Sequence, residues 1–265
     1  KHDQPLNRAL TKPVTLKGRS AAIHRSKTLD EMSEEIEKWF IRYRNGLDEE
    51  SGKRREKRKN FILEQLKATN TDWENWHWQI NNVITNAENL CKLVRLSSED
   101  YESIKRSFKI GLPFGVTPYY LSLMDNDNEN CDIAIRKQVF PSIKHVDQMS
   151  CLGKNVKQSC DFMLESDTSP IDLVTRRYPG IAILKPYNSC PQICVYCQRN
   201  WEVLKPKNPV ALAPAEKIEA AVKWIAKTKS IREVLLTGGD PMTLDNSFLE
   251  NILSKLSAIE HVDLI

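Results

Sequence analysis

The sequence predicts an α/β fold in its C-terminal part, preceded by a mainly helical N-terminal region. After Pro179, short apolar runs at 181–187, 232–238 and 262–265 have the composition of buried strands. Helical patterns separate the three runs, and strands that alternate with helices at this spacing form parallel βαβ units. Because three parallel strands would leave unpaired edges, we expect a longer barrel or sheet, of which this sequence ends after the third strand.

The two helices between these strands carry clear sequence signals. The first follows Pro214, which suits the first turn of a helix. Its apolar stripe consists of Ile218, Ala221, Val222 and Ile225. The second opens with Ser247 and Glu250 as a capping box. Its expected inward residues are Leu249, Ile252, Leu253 and Leu256.

The N-terminal half begins with a predicted mobile arm that is polar and irregular up to residue 27. A helix is predicted from Leu29, and a second one ends near Leu66. The basic run 53–59 of the second helix is interpreted as a solvated helix face. The predicted domains are the N-terminal arm and helical extension at residues 1–68, a helical and irregular region at residues 69–170, and the first part of the barrel at residues 171–265.

The middle region contains several local signals. A tryptophan-rich segment at 71–84 is interpreted as a packing anchor rather than a ligand box. Ser97 and Asp100 form a capping-box pattern at the start of a helix. Residues 111–125 mix Gly, Pro and aromatic residues, which predicts an ordered, non-helical crossing. Residues 125–170 are polar and too long for an ordinary loop, so we expect this segment to wrap another part of the protein.

The bulk composition excludes several classes of protein. The chain has 265 residues, 40% hydrophobic and 28% charged, which is ordinary for a globular protein. No apolar run is long enough to span a membrane, and the first residues lack the apolar core of a signal peptide. A net charge of +4 does not favour nucleic-acid binding. We therefore expect a cytoplasmic protein with reduced cysteines and with neither a membrane nor a nucleic acid as partner.

Three cysteines lie close together in a polar loop after the first predicted strand. Cys190, Cys194 and Cys197 are separated by three and by two residues. A zinc site would need a second Cys or His pair at short range, and a disulfide or a redox Cys-x-x-Cys would leave one thiol over. Three packed thiols are a further alternative. A [4Fe–4S] cluster with one iron open to a small molecule uses all three cysteines as ligands, at the end of a strand where parallel barrels hold active sites.

A Gly-Gly-Asp turn ends the second predicted strand. Gly238 and Gly239 allow a ligand to approach the backbone closely, and Asp240 can accept a hydrogen bond from an ammonium group. An ordinary turn with a helix-capping aspartate is the alternative explanation. The turn follows the cysteine loop by one βα unit, so the two motifs are expected at the same edge.

Together, these motifs resemble those of the radical S-adenosylmethionine (SAM) superfamily, whose signature Cys-x3-Cys-x-aromatic-Cys has Tyr196 at its aromatic position. The resemblance extends over residues 72–265 to the lysine 2,3-aminomutase family, with landmarks such as "DWENWHWQINNVIT", "TPYYLSLMD", "TRRYPGIAIL" and "IREVLLTGGDP". It implies a partial radical SAM (βα)6-type barrel, truncated here after its third strand. It also implies an isomerase that moves an α-amino group to the β-carbon with a deoxyadenosyl radical and pyridoxal phosphate (PLP).

The resemblance assigns the motif residues to the cluster and to SAM. Tyr196 is expected to lie against the adenine of SAM. The residues expected to hold the [4Fe–4S] cluster are Cys190, Cys194 and Cys197. Those expected to contact SAM through its amino group are Gly238, Gly239 and Asp240.

The resemblance also assigns residues to PLP and to the substrate. Arg177 matches an arginine that contacts the PLP phosphate, and Arg199 matches one that pairs with the substrate α-carboxylate. The family has a second arginine where this sequence has Ile181, so one phosphate contact is missing. The lysine that holds PLP is expected beyond Ile265. Three lysines near the motifs are interpreted as solvated, namely Lys185, Lys205 and Lys207.

The implied partners are a small amino-acid substrate and an electron donor such as a flavodoxin or ferredoxin. A homo-oligomer that uses the N-terminal helices stays open. Two alternatives to the aminomutase also stay open. One is a radical SAM enzyme of the same fold with different chemistry or without PLP, and the other is a non-catalytic iron–sulfur protein.

Overall fold

A computed structural model describes residues 15–41, 46–126, 132–153 and 159–265, apart from the side chain of Trp39. The chain divides into two compact units, residues 1–55 and residues 56–265. Cys131 lies outside the described residues, and the other six cysteines have free thiols, as expected. Every described helix is too short or too polar to cross a lipid bilayer.

Helix α1 (Gly18–Phe40) dominates the described part of the first unit. The prediction of an irregular arm up to residue 27 is therefore wrong for residues 18–27. This segment lacks an apolar stripe, but its alanine, arginine and lysine residues favour a helix by intrinsic propensity. The apolar residues Ile36 and Phe40 of α1 are exposed, at 38% and 69%. Helix α2 (Glu49–Leu66) ends where the sequence predicts.

The basic run of α2 is not entirely solvated, because Arg58 is buried. Its Nε donates to the carbonyl of Met124 at 2.9 Å, and its Nη2 donates to the carbonyl of Leu93 at 2.7 Å. A guanidinium group has several N–H donors, so one arginine can bond carbonyls that are far apart in the sequence. Arg58 therefore ties α2 to two later segments, which the charge pattern alone did not indicate.

Short helices follow in the middle region. They are α3 (Asn70–Trp73), α4 (Trp76–Asn81), α5 (Ala87–Leu93), α6 (Ser98–Lys109), α7 (Pro118–Ser122), α8 (Ile133–Val139) and α9 (Ile143–Leu152). Ser97 caps α6 by accepting a hydrogen bond from the Asp100 amide at 3.0 Å, which confirms the capping prediction. The segment 111–125, predicted to be non-helical, contains α7 after the N-cap Thr117.

A first hydrophobic core joins these helices. Its largest fully buried side chains include Ile62, Leu90, Ile104, Leu121 and Met124. Of the tryptophans predicted as anchors, Trp73 is buried in this core and Trp78 packs against it. Trp76 is 40% exposed and stacks on the ring of His77, so the anchoring prediction is wrong for this residue.

The sheet has the order β1–β2–β3. Its strands are β1 (Val174–Thr175), β2 (Ile181–Tyr187) and β3 (Glu233–Gly238). Strands β2 and β3 pair in parallel, as predicted, whereas β1 pairs with β2 in antiparallel orientation. Strand β1 was not predicted, because a strand of two residues is too short to show the alternation of apolar and polar residues. The third predicted strand, 262–265, is reduced to one parallel bridge between Leu264 and Glu233. The Val262 amide instead donates to the Ile259 carbonyl in a turn.

Helices α10 (Ala215–Lys227) and α11 (Asn246–Ser257) lie between and after the parallel strands. Pro214 is the N-cap of α10 rather than a first-turn residue. The N-cap of α11 is Asp245, so the capping box predicted at Ser247 is wrong. All four residues of the stripe predicted for α10 are buried. In α11, Ile252 and Leu256 are buried, but Leu253 is 40% exposed.

A second hydrophobic core lies between the sheet and these helices. Its buried members are Val174, Ala182, Leu184, Ile218, Ala221, Val222, Ile225, Ile231, Val234, Ile252, Leu256 and Ile259. Because side chains alternate along a strand, Ala182 and Leu184 of β2 face this core. Ile183 and Lys185 therefore lie on the opposite face of β2, where the candidate site is built.

Replacing a fully buried leucine in this second core should cost more stability than replacing an exposed leucine of the same helix. We expect Leu256→Ala to lower the free energy of unfolding by about 2–5 kcal/mol, because it removes buried apolar surface and leaves a cavity. Leu253→Ala is the matched control, with an expected loss below about 1 kcal/mol. Urea denaturation followed by circular dichroism measures both. Equal losses would contradict the packing described for α11.

Candidate functional site

The cysteine loop, residues 188–200, follows β2 directly. The segment that comes after the loop, residues 202–211, holds the first two loop residues. The amide of Asn188 donates to the Ala211 carbonyl at 2.8 Å, and its side-chain amide donates to the Glu202 carbonyl at 2.7 Å. The hydroxyl of Ser189, which is fully buried, donates to the Lys205 carbonyl at 2.9 Å. These bonds fix the backbone where the loop leaves the strand.

The middle region supports the same loop from another side. The Ile193 amide donates to the Gly115 carbonyl at 2.9 Å, and the Val195 amide donates to the Gln138 carbonyl at 2.8 Å. A Cβ atom at Gly115 would lie 3.2 Å from the Pro191 carbonyl oxygen of the loop, and 2.4 Å from Cγ of Pro206 just after it. The crossing segment therefore approaches the loop as closely as a glycine permits, and it helps to set the loop's shape.

The three thiols of the loop are half-buried and lie close enough for their charges to interact. Burial raises the pKa of the Cys190 thiol to about 12, and the Asp240 amide acts in the opposite direction by hydrogen bonding to it. The Arg199 amide donates to Sγ of Cys197 at 3.4 Å. Backbone donors of this kind stabilise thiolates, which are the form that binds metals.

Across the residues that the structure describes, no three His, Cys, Asp or Glu side chains converge as the ligands of a single ion would. Each cysteine of a [4Fe–4S] cluster binds a different iron atom, so its three thiols need not converge on one point. The amide donors around Cys190 and Cys197 fit the thiolates of such a cluster. The assignment of Cys190, Cys194 and Cys197 to a cluster stays a prediction that this donor set suits.

The Gly-Gly-Asp turn packs directly on the start of the cysteine loop. The Gly239 amide donates to the Tyr187 carbonyl at 2.6 Å, and the Asp240 amide donates to the Ser189 carbonyl at 2.9 Å. Gly238 has a φ of +127°, which L-residues rarely adopt, and a Cβ atom there would lie 2.3 Å from the Tyr187 oxygen. At Gly239 a Cβ atom would lie 2.0 Å from the Ser189 oxygen. Both glycines are therefore required by this backbone contact.

Asp240 and Tyr196 occupy the expected edge but differ in their contacts. The Oδ1 atom of Asp240 accepts a hydrogen bond from the Met242 amide at 3.0 Å and so caps the 3₁₀ turn Pro241–Thr243. This is the helix-capping alternative named for Asp240. Tyr196 is 69% exposed. A hydrogen bond with Cys194 raises the pKa of its phenol, which places the ring beside the cysteines. Their contacts with SAM stay predictions.

A buried charge cluster lies beside the cysteine loop. It consists of Glu165, Arg177, Lys185, Arg199 and Glu202. The Glu165 side chain is 5% exposed, and its Oε1 lies 2.9 Å from Nη2 of Arg177. Its Oε2 lies 2.9 Å from Nζ of Lys185 and 3.9 Å from Nε of Arg199. Glu202 pairs with Nη2 of Arg199 and lies 3.6 Å from Nζ of Lys185.

Glu165 is presented to the cluster by a tight turn. Both carboxylate oxygens of Asp161 accept backbone amides, from Glu165 at 2.7 Å and from Ser166 at 2.9 Å. The Ser169 hydroxyl donates to the Glu165 carbonyl at 2.6 Å. Leu164, which directly precedes Glu165 in this turn, has a φ of +53°. These bonds fix the backbone from which the Glu165 side chain extends into the cluster.

The cluster contradicts the prediction that Lys185 is solvated, and it shows what the side chains of Arg177 and Arg199 contact. Lys185, interpreted as solvated, has a side chain that is only 11% exposed. Burial and the neighbouring Arg199 charge lower its pKa. Burial alone would raise the pKa of the Glu165 carboxyl, but the Lys185 hydrogen bond and the surrounding cations outweigh burial and lower it. Arg177 and Arg199, expected to meet anionic groups of PLP and substrate, meet these carboxylates.

Sequence reasoning missed Glu165 and Glu202. Glu165 lies in the segment 125–170, which was expected to wrap another part of the protein, but no spacing rule links it to β2. A usable signal was Lys185 itself, because a lysine within an apolar strand needs a buried counter-charge. The cluster fits a group that carries phosphate or carboxylate, since Nε of Arg177 and Nε of Arg199 are buried and lack a hydrogen-bond partner among the described residues.

Comparisons with known proteins agree with the geometry of the loop and the turn. Residues 184–265 match the model of the radical SAM superfamily. A KamA-family protein of Methanocaldococcus jannaschii is 42% identical over 257 residues, covering 93% of this chain and 41% of its own length. The glutamate 2,3-aminomutase of Clostridioides difficile is 36% identical, covering 79% of this chain and 46% of its own length. The L-lysine 2,3-aminomutase of Fusobacterium nucleatum is 34% identical, covering 75% of this chain and 44% of its own length. The chain thus spans less than half the length of these relatives.

A methyl group at Gly239 should disrupt the contact between the turn and the cysteine loop. We expect Gly239→Ala to lower the free energy of unfolding by about 1–3 kcal/mol, because its Cβ would overlap a backbone oxygen that cannot rotate away. Gly180→Ala is the matched control, since its Cβ would lie 3.8 Å from the nearest atom, the Ser230 oxygen. Chemical denaturation measures both variants. A Gly239→Ala variant as stable as Gly180→Ala would refute the close approach.

Proposed function

The chain belongs to the radical SAM superfamily and, within it, to the lysine 2,3-aminomutase family, and from this membership we propose that it is a radical SAM amino-acid 2,3-aminomutase. The observation that carries the proposal is the packing of the cysteine loop against the Gly-Gly-Asp turn. The two motifs meet at the carboxyl ends of adjacent parallel strands, with the Asp240 amide bonded to the Ser189 carbonyl. In α/β folds this edge is where ligands bind.

The proposed binding residues have separate tasks. The three cysteines hold the cluster, and the amides of Arg199 and Asp240 support two of the thiolates. The two glycines let the turn pack on the start of the cysteine loop, which brings the turn next to the proposed SAM site. Tyr196 offers an exposed ring to the adenine. When bound, the reduced cluster and SAM supply a deoxyadenosyl radical, and PLP supplies a carrier for the migrating nitrogen.

The remaining residues orient the substrate and PLP. Arg199 is 6% exposed, so its guanidinium lies in a place from which most water is excluded and where it can pair strongly with the substrate α-carboxylate. Arg177 is held by Glu165 in the same charge cluster and is proposed to contact the PLP phosphate. The substrate is proposed to be a small amino acid, the electron donor a flavodoxin or ferredoxin, and the location the cytoplasm, where thiols stay reduced.

A second candidate function has one specific observation in its favour. At the start of β2, Ile181 stands where the family has an arginine, so a phosphate contact of the usual kind is missing there. A radical SAM enzyme of the same fold that works without PLP would not need this contact. Binding of the cluster and SAM would be the same in both candidates, so PLP binding separates them.

Loss of one cluster ligand should abolish iron binding and SAM cleavage together. The wild-type protein, reconstituted without oxygen, should contain about four iron atoms per chain, and Cys194→Ala should lose the intact cluster and reductive cleavage of SAM. Cys91→Ala, at an exposed thiol remote from the loop in sequence, is the control that should retain both. Iron analysis and chromatography of deoxyadenosine measure the outcome. SAM cleavage that survives Cys194→Ala would refute the assignment.

Arginine 177 should matter for retention of PLP, whereas its neighbour should not. We expect Arg177→Gln to weaken PLP binding about tenfold, as the loss of one charge-assisted hydrogen bond implies. Arg176→Gln is the control, because Arg176 bonds to the Pro179 carbonyl and to Ser230 away from the cluster. Absorbance of PLP retained after dialysis gives the affinities. Wild-type protein that cleaves SAM but retains no PLP would favour the second candidate.

A further inference from the structure

The buried charge cluster holds more positive than negative groups. Arg177, Lys185 and Arg199 carry three positive charges, and Glu165 and Glu202 carry two negative charges. The side chains of Glu165, Lys185 and Arg199 are 5%, 11% and 8% exposed. A purely structural arrangement would pair each buried cation with a carboxylate, because an uncompensated buried charge is costly. Within the cluster, one positive charge is therefore left without a carboxylate. The thiols of Cys190 and Cys197 also act on Arg199, and an anionic ligand is the further group that could balance this charge.

The hydrogen-bond donors of the cluster are also incompletely used. Nε of Arg199 and Nε of Arg177 are both buried and have no hydrogen-bond partner within the described part of the chain. Lys185 has three donor hydrogens, and one of them reaches Glu165 at 2.9 Å. Buried donors without partners need an explanation in a native structure, and a bound anionic group is one that also suits the charge. The donors of all three cations meet around a single carboxylate, so one anionic group could reach more than one of them.

Lys185 is placed for this task by the strand that carries it. The neighbouring residue Leu184 faces the second hydrophobic core and is fully buried. Lys185 therefore points to the other face of β2, the same face as Ile181, since residues four apart on a strand share a side. On that face, Lys185 and Arg177 contact the two oxygens of the same Glu165 carboxylate. Lys185 therefore adds a cation beside Arg177, on the face of β2 that also carries Ile181.

We propose that Lys185 is an anion-binding residue that acts together with Arg177 and Arg199, and that Glu165 is the positioning residue that gathers the three cations. The ligand group is a phosphate monoester or a carboxylate, the two anions that guanidinium and ammonium groups bind in this geometry. This inference rests on the proposed function and deepens it, because PLP carries a phosphate and an amino-acid substrate carries a carboxylate. Lys185 supplies the second contact to one of these groups.

The turn that holds Glu165 gives its buried carboxylate a defined position among the three cations. Asp161 fixes the backbone at Glu165 by accepting the amides of Glu165 and Ser166, which limits where the Glu165 carboxylate can lie. Without it, three like charges would repel one another in a site that excludes water. Glu165 thus orients Lys185 without needing to contact the ligand.

The experiment compares ligands that differ in one anionic group. Isothermal titration of the full-length protein, which includes the barrel expected beyond Ile265, uses four probes: PLP, pyridoxal, L-lysine and L-glutamate. Pyridoxal lacks the phosphate, so the comparison with PLP isolates the phosphate contact, and the amino acids report the carboxylate. We expect Lys185→Met to weaken the binding of PLP about tenfold or more, as the loss of a charge-assisted bond predicts. The binding of pyridoxal should change little. If the ligand group is the carboxylate, the binding of the two amino acids weakens instead.

Matched variants separate a binding role from a folding role. Lys205→Met removes an exposed lysine that packs over Phe108, and it should change no affinity. Lys185→Arg keeps the charge and should keep most of the affinity. The double variant Lys185→Met/Glu165→Gln removes one charge of each sign, so it should fold even if Lys185→Met alone does not. Because the Lys185 contact is still missing, it should bind the anion more weakly than the wild type.

The outcomes distinguish this inference from the proposed function. Equal affinities of wild-type and Lys185→Met protein for all four probes would overturn the role of Lys185 while leaving the proposed function intact. Wild-type protein that binds an amino acid but not PLP would contradict the PLP part of the proposed function. In that case the amino-acid affinities still decide the role of Lys185. Wild-type protein that binds none of the four probes would overturn both.

Discussion

The close approach of two backbones, the Gly-Gly-Asp turn and the start of the cysteine loop, is the constraint on which the candidate site depends. Both amides of Gly239 and Asp240 are used to bond carbonyls at the end of β2. The distances leave no room for a Cβ atom at Gly238 or Gly239. Since the turn ends β3 and the loop follows β2, the parallel pairing of the two strands sets the distance between the motifs. The cysteines, Tyr196 and Arg199 all extend from the backbone that this contact fixes.

The cysteine loop also connects the two hydrophobic cores of residues 56–265. Its amides bond to Gly115 and Gln138, which belong to the region of the first core. Its ends bond to residues that flank the sheet and the second core. A loop held on several sides loses little entropy when a ligand binds, which favours a preorganised site. The helical middle region is therefore part of the site's framework, rather than an appended domain.

The buried charge cluster adds an electrostatic requirement to this framework. Glu165 and Arg199 are buried and the other three side chains of the cluster are partly buried, which is unfavourable unless their charges neutralise one another. Glu165 satisfies this requirement for three cations at once, through a turn that Asp161 stabilises. Hydrophobic substitutes could be more stable than such a cluster, and the proposed binding of an anionic group would give a reason to retain it. Arg199 belongs both to the cluster and to the end of the cysteine loop, so it joins the proposed substrate contact to the proposed radical centre.

The sequence by itself determined the features that depend on local order along the chain. Three cysteines within eight residues, the Gly-Gly-Asp turn and the alternation of apolar runs with helical stripes identified the superfamily, the parallel β2–β3 pair and the buried stripe of α10. Features that depend on pairing between distant segments were decided only by the tertiary structure. The antiparallel strand β1, the burial of Arg58 and the reduction of 262–265 to one bridge all arise from contacts with no sequence spacing to reveal them. The same holds for Glu165, which lies 20 residues before Lys185: a buried charge shows in the sequence that a partner must exist, and only the fold shows which residue it is.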